Sequence, residues 1–547
     1  MVQAQFVQVG ERRVLVRHAG QGPALVLLHQ SPQNSAALLP WIERYADRYA
    51  VFAPDTPGFG GSDPLPLAQP TIPDLARALG ALLRALGLDR VLLYGVHTGA
   101  SIAARLAQDQ PERIAGLVCD GLALFTDEER QPLLDGYLPP FEPVWDGSHL
   151  LWLWARLREQ TLFFPWHLST ARARMVYPMA TTQKVHADAL DLLAAGDGYR
   201  AGYRAPLLYE HSRSGAATLT VPAHLLYREG DVLRPHLERH AALPAQVQAC
   251  AVADAQALAK RMDEVFDGLA PQATVVDAEE QVADAACPWH RRIEVAGGAL
   301  GFLCAPVRGV VTELAIGDIG MQARLPGELA ATQPALALEL PGHGASDRRP
   351  SEDLEPDRLA AAVVHALDRL LVDDVRIRAA GGACALAAAL ADRLGPRCVE
   401  LVLADPLQLD EAESARFLSA LPALEPCASG AHLIEAWNWA RQSKLFWPWM
   451  QPDAKAAIVA AAPAPGRVHA EVVEMLRAGP NWRGAWQAAL AQDLPTRLQA
   501  LRCALRVEVR AGDAERERQA LRIAHMLALQ ADPPGPPRAG WSRPAVN

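Results

Sequence analysis

Short apolar runs separated by amphipathic stretches dominate the first half of the chain. Ala24–Leu28 (ALVLL), Tyr49–Ala53 (YAVFA), Val91–Tyr94 (VLLY), Ile114–Cys119 (IAGLVC) and Ala223–Tyr227 (AHLLY) are too short for buried helices and predict buried strands. Leu75–Leu86 places its apolar residues at helical spacing, and Ser101–Gln108 opens like a second helix. Strands alternating with helices at this interval predict the α/β class, a mostly parallel sheet flanked by helices. Residues 127–218 break the alternation and are rich in Trp, Tyr and His, which predicts a helical insertion lying over the sheet.

The same pattern returns later in the chain. Gly147-Ser-His-Leu-Leu-Trp-Leu-Trp-Ala-Arg-Leu-Arg158, continuing to Trp166, recurs 283 residues on as Gly430-Ala-His-Leu-Ile-Glu-Ala-Trp-Asn-Trp-Ala-Arg441, continuing to Trp449. Val185-His-Ala-Asp matches Val468-His-Ala-Glu at the same offset, and Asp55-Thr-Pro-Gly-Phe-Gly-Gly-Ser-Asp63 matches Glu339-Leu-Pro-Gly-His-Gly-Ala-Ser-Asp347 at an offset of 284. A register held over several hundred residues predicts two tandem copies of one unit. The expected boundaries are a first unit at 1–270 with its cap near 127–218, a polar acidic linker at 271–287, a second unit at 288–530 with its cap near 411–500, and a Pro/Gly-rich flexible tail at 531–547.

Composition narrows the function. Half of the residues are hydrophobic, 21% are charged and the net charge is −10, with no Lys/Arg block. That balance argues against a nucleic-acid or anionic-membrane surface. The longest uncharged apolar-and-small run, Ala379–Ala391, is 13 residues and too short to span a bilayer. The amino terminus, MVQAQFVQVGERR, lacks an apolar signal core, so a soluble cytoplasmic protein is expected. Eight scattered cysteines without a CxxC pair read as reduced thiols, with no metal knuckle. His236 and His240 stand at i, i+4 but have no third ligand nearby, so no metal is expected.

Candidate chemistry sits in four segments: Leu28-His-Gln-Ser-Pro32, Asp55–Asp63, Leu92-Leu-Tyr-Gly-Val-His-Thr-Gly-Ala100 and Arg228-Glu-Gly-Asp231. In this order they resemble the α/β-hydrolase-fold superfamily, and the chain resembles a tandem duplication of a cap-bearing unit of it. The resemblance implies two α/β-hydrolase-like units, each a mostly parallel sheet with helices on its faces and a helical cap insertion. It also implies a G-x-S-x-G turn that pushes a nucleophile out at the sheet edge. Here that turn reads Gly95-Val-His-Thr-Gly99 in the first copy and Ala379-Ala-Gly-Gly-Ala383 in the second, so His97 and Gly381 replace the serine. The family's histidine, about 25 residues after the acid, is missing too; the corresponding place is near Gln256. A Ser–His–Asp mechanism is therefore not expected in either copy.

The candidate catalytic group is His97, since an imidazole ordinarily titrates near neutrality and serves as base or nucleophile. Its tautomer needs a carboxylate, and Asp231 and Asp120 are both candidates. His29, Gln30 and Thr98 are expected around the oxyanion site, with the N–H groups of Gln30 and Thr98 as donors. The cap candidates are His149, Trp154, Arg158, Trp166, His186 and Arg200. Arg158 or Arg200 would suit a substrate carboxylate. The second copy keeps Asp405 and Asp513 but is expected to be a non-catalytic unit whose pocket is shallower or empty of catalytic groups. Two readings follow. One is a cofactor-independent hydrolase or lyase acting through His97 on a small apolar or aromatic substrate. The other is a non-catalytic pseudo-hydrolase that binds a ligand or protein partner. Expected partners are a small-molecule substrate and no nucleic acid or membrane, with the copies forming an intramolecular pseudo-dimer and further oligomerisation left open.

Overall fold

A computed structural model describes residues 2–175, 178–209, 216–240, 242–287, 289–305, 311–321, 323–325, 334–450, 452–454, 456–458, 461–510, 514–527, 530–531 and 538–543. The chain divides into two compact units. The first is Met1–Glu142 with Trp152–Cys287, and the second is Pro143–Leu151 with Pro288–Asn547.

The first unit is built on strands β1 (Gln3–Val9), β2 (Arg12–Ala19), β3 (Gln21–Leu28), β4 (Ala50–Pro54), β5 (Val91–Val96), β6 (Ile114–Asp120), β7 (Ala223–Arg228), β8 (Val247–Val252) and β9 (Val275–Asp277). Their order in the sheet is β1-β2-β4-β3-β5-β6-β7-β8, with β9 on β3. Pairing is parallel from β4 to β8, while β1, β2 and β9 are antiparallel to their neighbours. The apolar runs are continuous because the central strands are buried on both faces. In β3, Ala24, Val26 and Leu28 enter one core and Leu25 and Leu27 the other. Helices α1 (Leu39–Tyr45), α2 (Ile72–Ala85) and α3 (Thr98–Asp109) follow their strands as the alternation requires. Between β6 and β7 the insertion is helical, with α4 (Asp127–Pro132), α5 (Ser148–Gln160), α6 (Thr182–Ala195) and α7 (Tyr199–Leu208).

Residues 271–287 are not a linker. They supply β9 and the helix Ala278–Asp284, whose Ala278 and Val282 are buried in the first unit's core. The acidic look of the segment comes from the opposite face of that helix, where Glu279 and Glu280 are exposed in its first turn.

The second unit carries β10 (His290–Val295), β11 (Gly298–Ala305), β12 (Val311–Ile316), β13 (Ala335–Glu339), β14 (Asp374–Ala380), β15 (Cys398–Ala404), β16 (Ala504–Arg510), β17 (Gln530–Ala531) and β18 (Arg538–Arg543). Its order, β10-β11-β13-β12-β14-β15-β16-β18-β17, repeats the first seven places of the other sheet. The two then diverge. Where β8 pairs parallel with β7, β18 pairs antiparallel with β16, so this part of the expected tail is strand. Helices between Glu411 and Ala500 form the insertion that follows β15. Among the described residues, no helix is long and apolar enough to cross a membrane.

Candidate functional site

The chain turns sharply where β5 ends and α3 begins. His97 sits at that turn with φ 48° and ψ −106°, a left-handed conformation that costs a side-chain-bearing residue about 1–3 kcal/mol. Its flanking glycines are required by contact. A Cβ on Gly95 would lie 2.3 Å from the Gly99 carbonyl oxygen, and one on Gly99 would lie 2.4 Å from that of Leu28.

His97 is partly exposed and lines a cavity of about 340 Å³, with Ser31, Thr98 and Asp231 nearby on its wall. Its Nε2 is 3.2 Å from Asp231 Oδ2. The Asp231 carboxylate also accepts the Leu233 N–H at 2.9 Å and stands 3.5 Å from Arg228 Nη2. Burial alone would raise its pKa, but the hydrogen bond and charge of His97, with Leu233 and Arg228, hold it down at about 2. A carboxyl whose pKa falls on folding stabilises the fold above its unfolded value, near 4, and loses that contribution as pH drops toward the folded value. The Asp231 contribution, on the order of 2 kcal/mol, is therefore present at neutral pH and disappears between about pH 4 and pH 2.

Asp120 is not the partner of the imidazole. Its carboxylate accepts from Tyr94 Oη at 3.0 Å and from Arg228 Nε at 3.1 Å, and only its backbone carbonyl meets His97, through the His97 N–H at 3.0 Å. Burial pushes its carboxyl up, against the pull of Arg228 and His97. Arg228, at the head of the quoted Arg-Glu-Gly-Asp segment, thus bridges the two aspartates, a role that composition and spacing do not signal.

His29 is buried away from the cavity. Its Nδ1 donates to the Gln30 carbonyl at 3.0 Å and its Nε2 accepts the Thr56 N–H at 2.9 Å, so it ties the end of β3 to the end of β4. Burial lowers its pKa, consistent with a neutral ring in that tautomer. His236 and His240 are likewise engaged, with the Leu124 N–H at 2.8 Å and Tyr227 Oη at 2.8 Å.

None of the six cap candidates lines this cavity. His149 belongs to the second compact unit, where its ring lies 4.7 Å from that of Trp437 and its Nε2 3.4 Å from His469 Nδ1. Trp154 is buried, Arg158 is exposed, and Arg200 pairs with Asp197 at 3.2 Å. Trp166 donates its indole N–H to the Tyr137 carbonyl at 3.0 Å, and His186 is half-buried on α6 outside the cavity wall. The cap contributes other residues instead, among them Tyr137, Leu157, Gln160, Phe164, Lys184, Asp188 and Tyr203. Gln256, where the family's histidine would fall, is exposed on the helix Ala255–Leu269.

The second unit departs from one of the two alternatives expected of its pocket, the shallower one. Its cavity is not shallower but about 390 Å³, lined by Asp318, Arg378, Gly381, Asp405, Lys444 and Glu471 among others. Gly381 keeps the turn, with φ 54°. The space beside it is taken by Asp318, whose Oδ1 accepts the Ile319 N–H at 2.8 Å and the Gly382 N–H at 2.9 Å. Strand register relates these donors to the first unit. Ile316 pairs with Ala379 as Leu28 pairs with Gly95, so Ile319 and Gly382 correspond to Ser31 and Thr98. Two backbone N–H groups converging on one oxygen form an anion site, and in the first unit the register places its second donor on Ser31 rather than Gln30. Asp513 lies outside the described residues.

Sheet order and elbow together define the α/β-hydrolase fold. The family model described as "alpha/beta hydrolase fold" matches residues 23–175 of the first unit. It is 36% identical over 105 residues to a pimeloyl-[acyl-carrier protein] methyl ester esterase of Aeromonas hydrophila, covering 19% of this chain and 40% of that protein. It is 30% identical over 130 residues to a 2-hydroxy-6-oxo-6-phenylhexa-2,4-dienoate hydrolase of Burkholderia cepacia, covering 22% and 44%. These matches span less than half the length of either relative. A mutant of potato epoxide hydrolase aligns in structure at 17% identity and a TM-score of 0.40, over 50% of this chain and 100% of that one.

Proposed function

We propose that the first unit is a cofactor-independent hydrolase for a small apolar or aromatic substrate, with His97 as the base and the second unit non-catalytic. One observation carries the reading: an imidazole held 3.2 Å from a buried carboxylate at the wall of a cavity of about 340 Å³. Phe125, Leu133, Leu157, Phe164, Leu207 and Leu233 supply an apolar lining suited to such a substrate. The relatives' activities, on an ester and on a dienoate, favour hydrolysis over lyase chemistry.

With Nε2–H donated to Asp231, the ring's lone pair is on Nδ1. In ester hydrolysis Nδ1 takes a proton from water as the water oxygen bonds to the carbonyl carbon. The oxyanion is received by the N–H groups of Ser31 and Thr98. Collapse breaks the bond to the leaving oxygen, which takes the proton back from Nδ1. In the second unit Gly381 offers no group for the first step, and Asp318 fills the place of the oxyanion.

A panel of aryl and alkyl esters, assayed with the full chain and with His97→Ala, tests the reading. Turnover lost in the variant supports it. If no ester is turned over, yet a ligand binds equally to both proteins, the first unit is a binding protein.

Asp231→Asn tests the positioning role separately. An amide neither stabilises the imidazolium nor fixes its tautomer as a carboxylate does, so kcat should fall on the order of a hundredfold or more. Urea midpoints should show the variant less stable than wild type at neutral pH, with the gap closing as pH approaches the Asp231 value of about 2. A variant as stable as wild type at neutral pH would contradict the pairing.

A further inference from the structure

Arg156, on α5, is 1% exposed, and its Nε, Nη1 and Nη2 have no hydrogen-bond partner among the described residues. It also forms no ion pair among them. Four rings enclose it instead, with its guanidinium carbon 5.0 Å from the Tyr199 ring centre, 5.4 Å from Trp166, 5.9 Å from Trp152 and 6.0 Å from Tyr137. Ring faces attract a cation, but they do not replace the hydrogen bonds of water or the charge of an anion. A buried guanidinium left in this state favours an anion nearby.

The first unit's cavity is the place for one. Tyr137 presents its ring to Arg156 and also lines the cavity, as do Leu157 and Gln160 from the same helix. Tyr203, edge-on to Tyr137 at 5.6 Å, lines it too. The field of Arg156 reaches this wall: burial pushes the phenols of Tyr137 and Tyr203 up, and the guanidinium charge opposes that rise. The other charges on the wall are already matched. Asp188 pairs with Lys184, and Asp231 pairs with His97 and Arg228. Arg156, 1% exposed and behind that wall, has no anion among the described residues.

We propose that the first unit's cavity takes a substrate bearing a carboxylate, seated on the Tyr137–Tyr203 side, and that Arg156 is the specificity-determining residue that selects it through the field across those rings. The proposal rests on the hydrolase reading for the role of the cavity and adds the charge of what fills it. Arg158 and Arg200, whose side chains are exposed or paired, do not take this role.

The test is binding of phenylacetate against its neutral counterpart 2-phenylethanol to the full chain, by calorimetry and by ligand-induced rise in melting temperature. Wild type should favour phenylacetate by about tenfold or more, the size expected for one poorly screened charge acting across a ring. Arg156→Met, which keeps the stem and removes the charge, should abolish the preference, and Arg156→Lys should keep part of it. His97→Ala should retain it. Equal affinity of wild type for the two probes, no detectable binding of phenylacetate, or a preference that survives in Arg156→Met overturns the proposal. Should Arg156→Met fail to fold, the comparison of the two probes on wild type still decides it. Anion preference without ester turnover would sink the hydrolase reading alone, while turnover of neutral esters without anion preference would sink this inference alone.

Discussion

Replacing His97 with alanine is expected to lower turnover on the order of 10²–10⁴-fold while leaving the fold intact, the usual contribution of a positioned general base. The fold should survive because the turn is held by backbone contacts of Gly95 and Gly99, not by the imidazole. Serine at the same place would restore the family's elbow but should be no more active than alanine. Deprotonating that serine needs a histidine near Gln256, and the side chain there is exposed on a helix surface. An alanine variant with wild-type turnover would remove the imidazole from the chemistry. The wall residues with titratable heads, Tyr137, Lys184 and Tyr203, would then be the next to test.

The central strands and the elbow were legible because each rests on a local signal. A run such as ALVLL must be buried on both faces, and Gly-x-His-x-Gly announces a turn with no room for side chains. The hairpin β1–β2 escapes the same approach, because buried Val7, Val14 and Val16 alternate with Gln8, Arg13 and Arg17 at a sheet edge. The cap defeats it for a different reason. In α5, Leu150, Leu153, Trp154 and Leu157 are buried at helical spacing, but Leu151 beside them is exposed and Arg156 is buried, so hydropathy alone does not tell the enclosed polar residue from the exposed one. Arg156 and Arg158 stand about 200° apart around that helix, and only packing reveals that the first is enclosed and the second exposed. Asp231 and Asp120 were both plausible partners for His97 from sequence order, and distance separates them. The size of the second unit's cavity was not legible, because a cavity depends on the cap and strand ends around it and not on the residue at the turn.

A side chain added at Gly381 is expected to destabilise the second unit by about 3 kcal/mol, combining left-handed strain with a steric conflict. His97 shows that this turn tolerates a side chain at φ 48°, so the strain by itself is bearable. The conflict is the larger part. A Cβ at Gly381 would lie 2.2 Å from Asp318 Oδ1, the atom that accepts the Ile319 and Gly382 N–H groups. Either the carboxylate leaves those donors, forfeiting two charge-assisted hydrogen bonds, or the backbone moves. Removing Asp318 in the same chain should therefore rescue Gly381→Ser. Asp318→Ala alone should cost some stability, but the double variant should be more stable than the sum of the two single effects predicts, by roughly 1–2 kcal/mol in a double-mutant cycle. Thermal or urea unfolding of the four proteins gives the coupling. Strictly additive effects would mean that Asp318 does not occupy the space a nucleophile would need, whereas strong coupling means that the second unit cannot regain a serine at this turn without first losing the carboxylate it holds there.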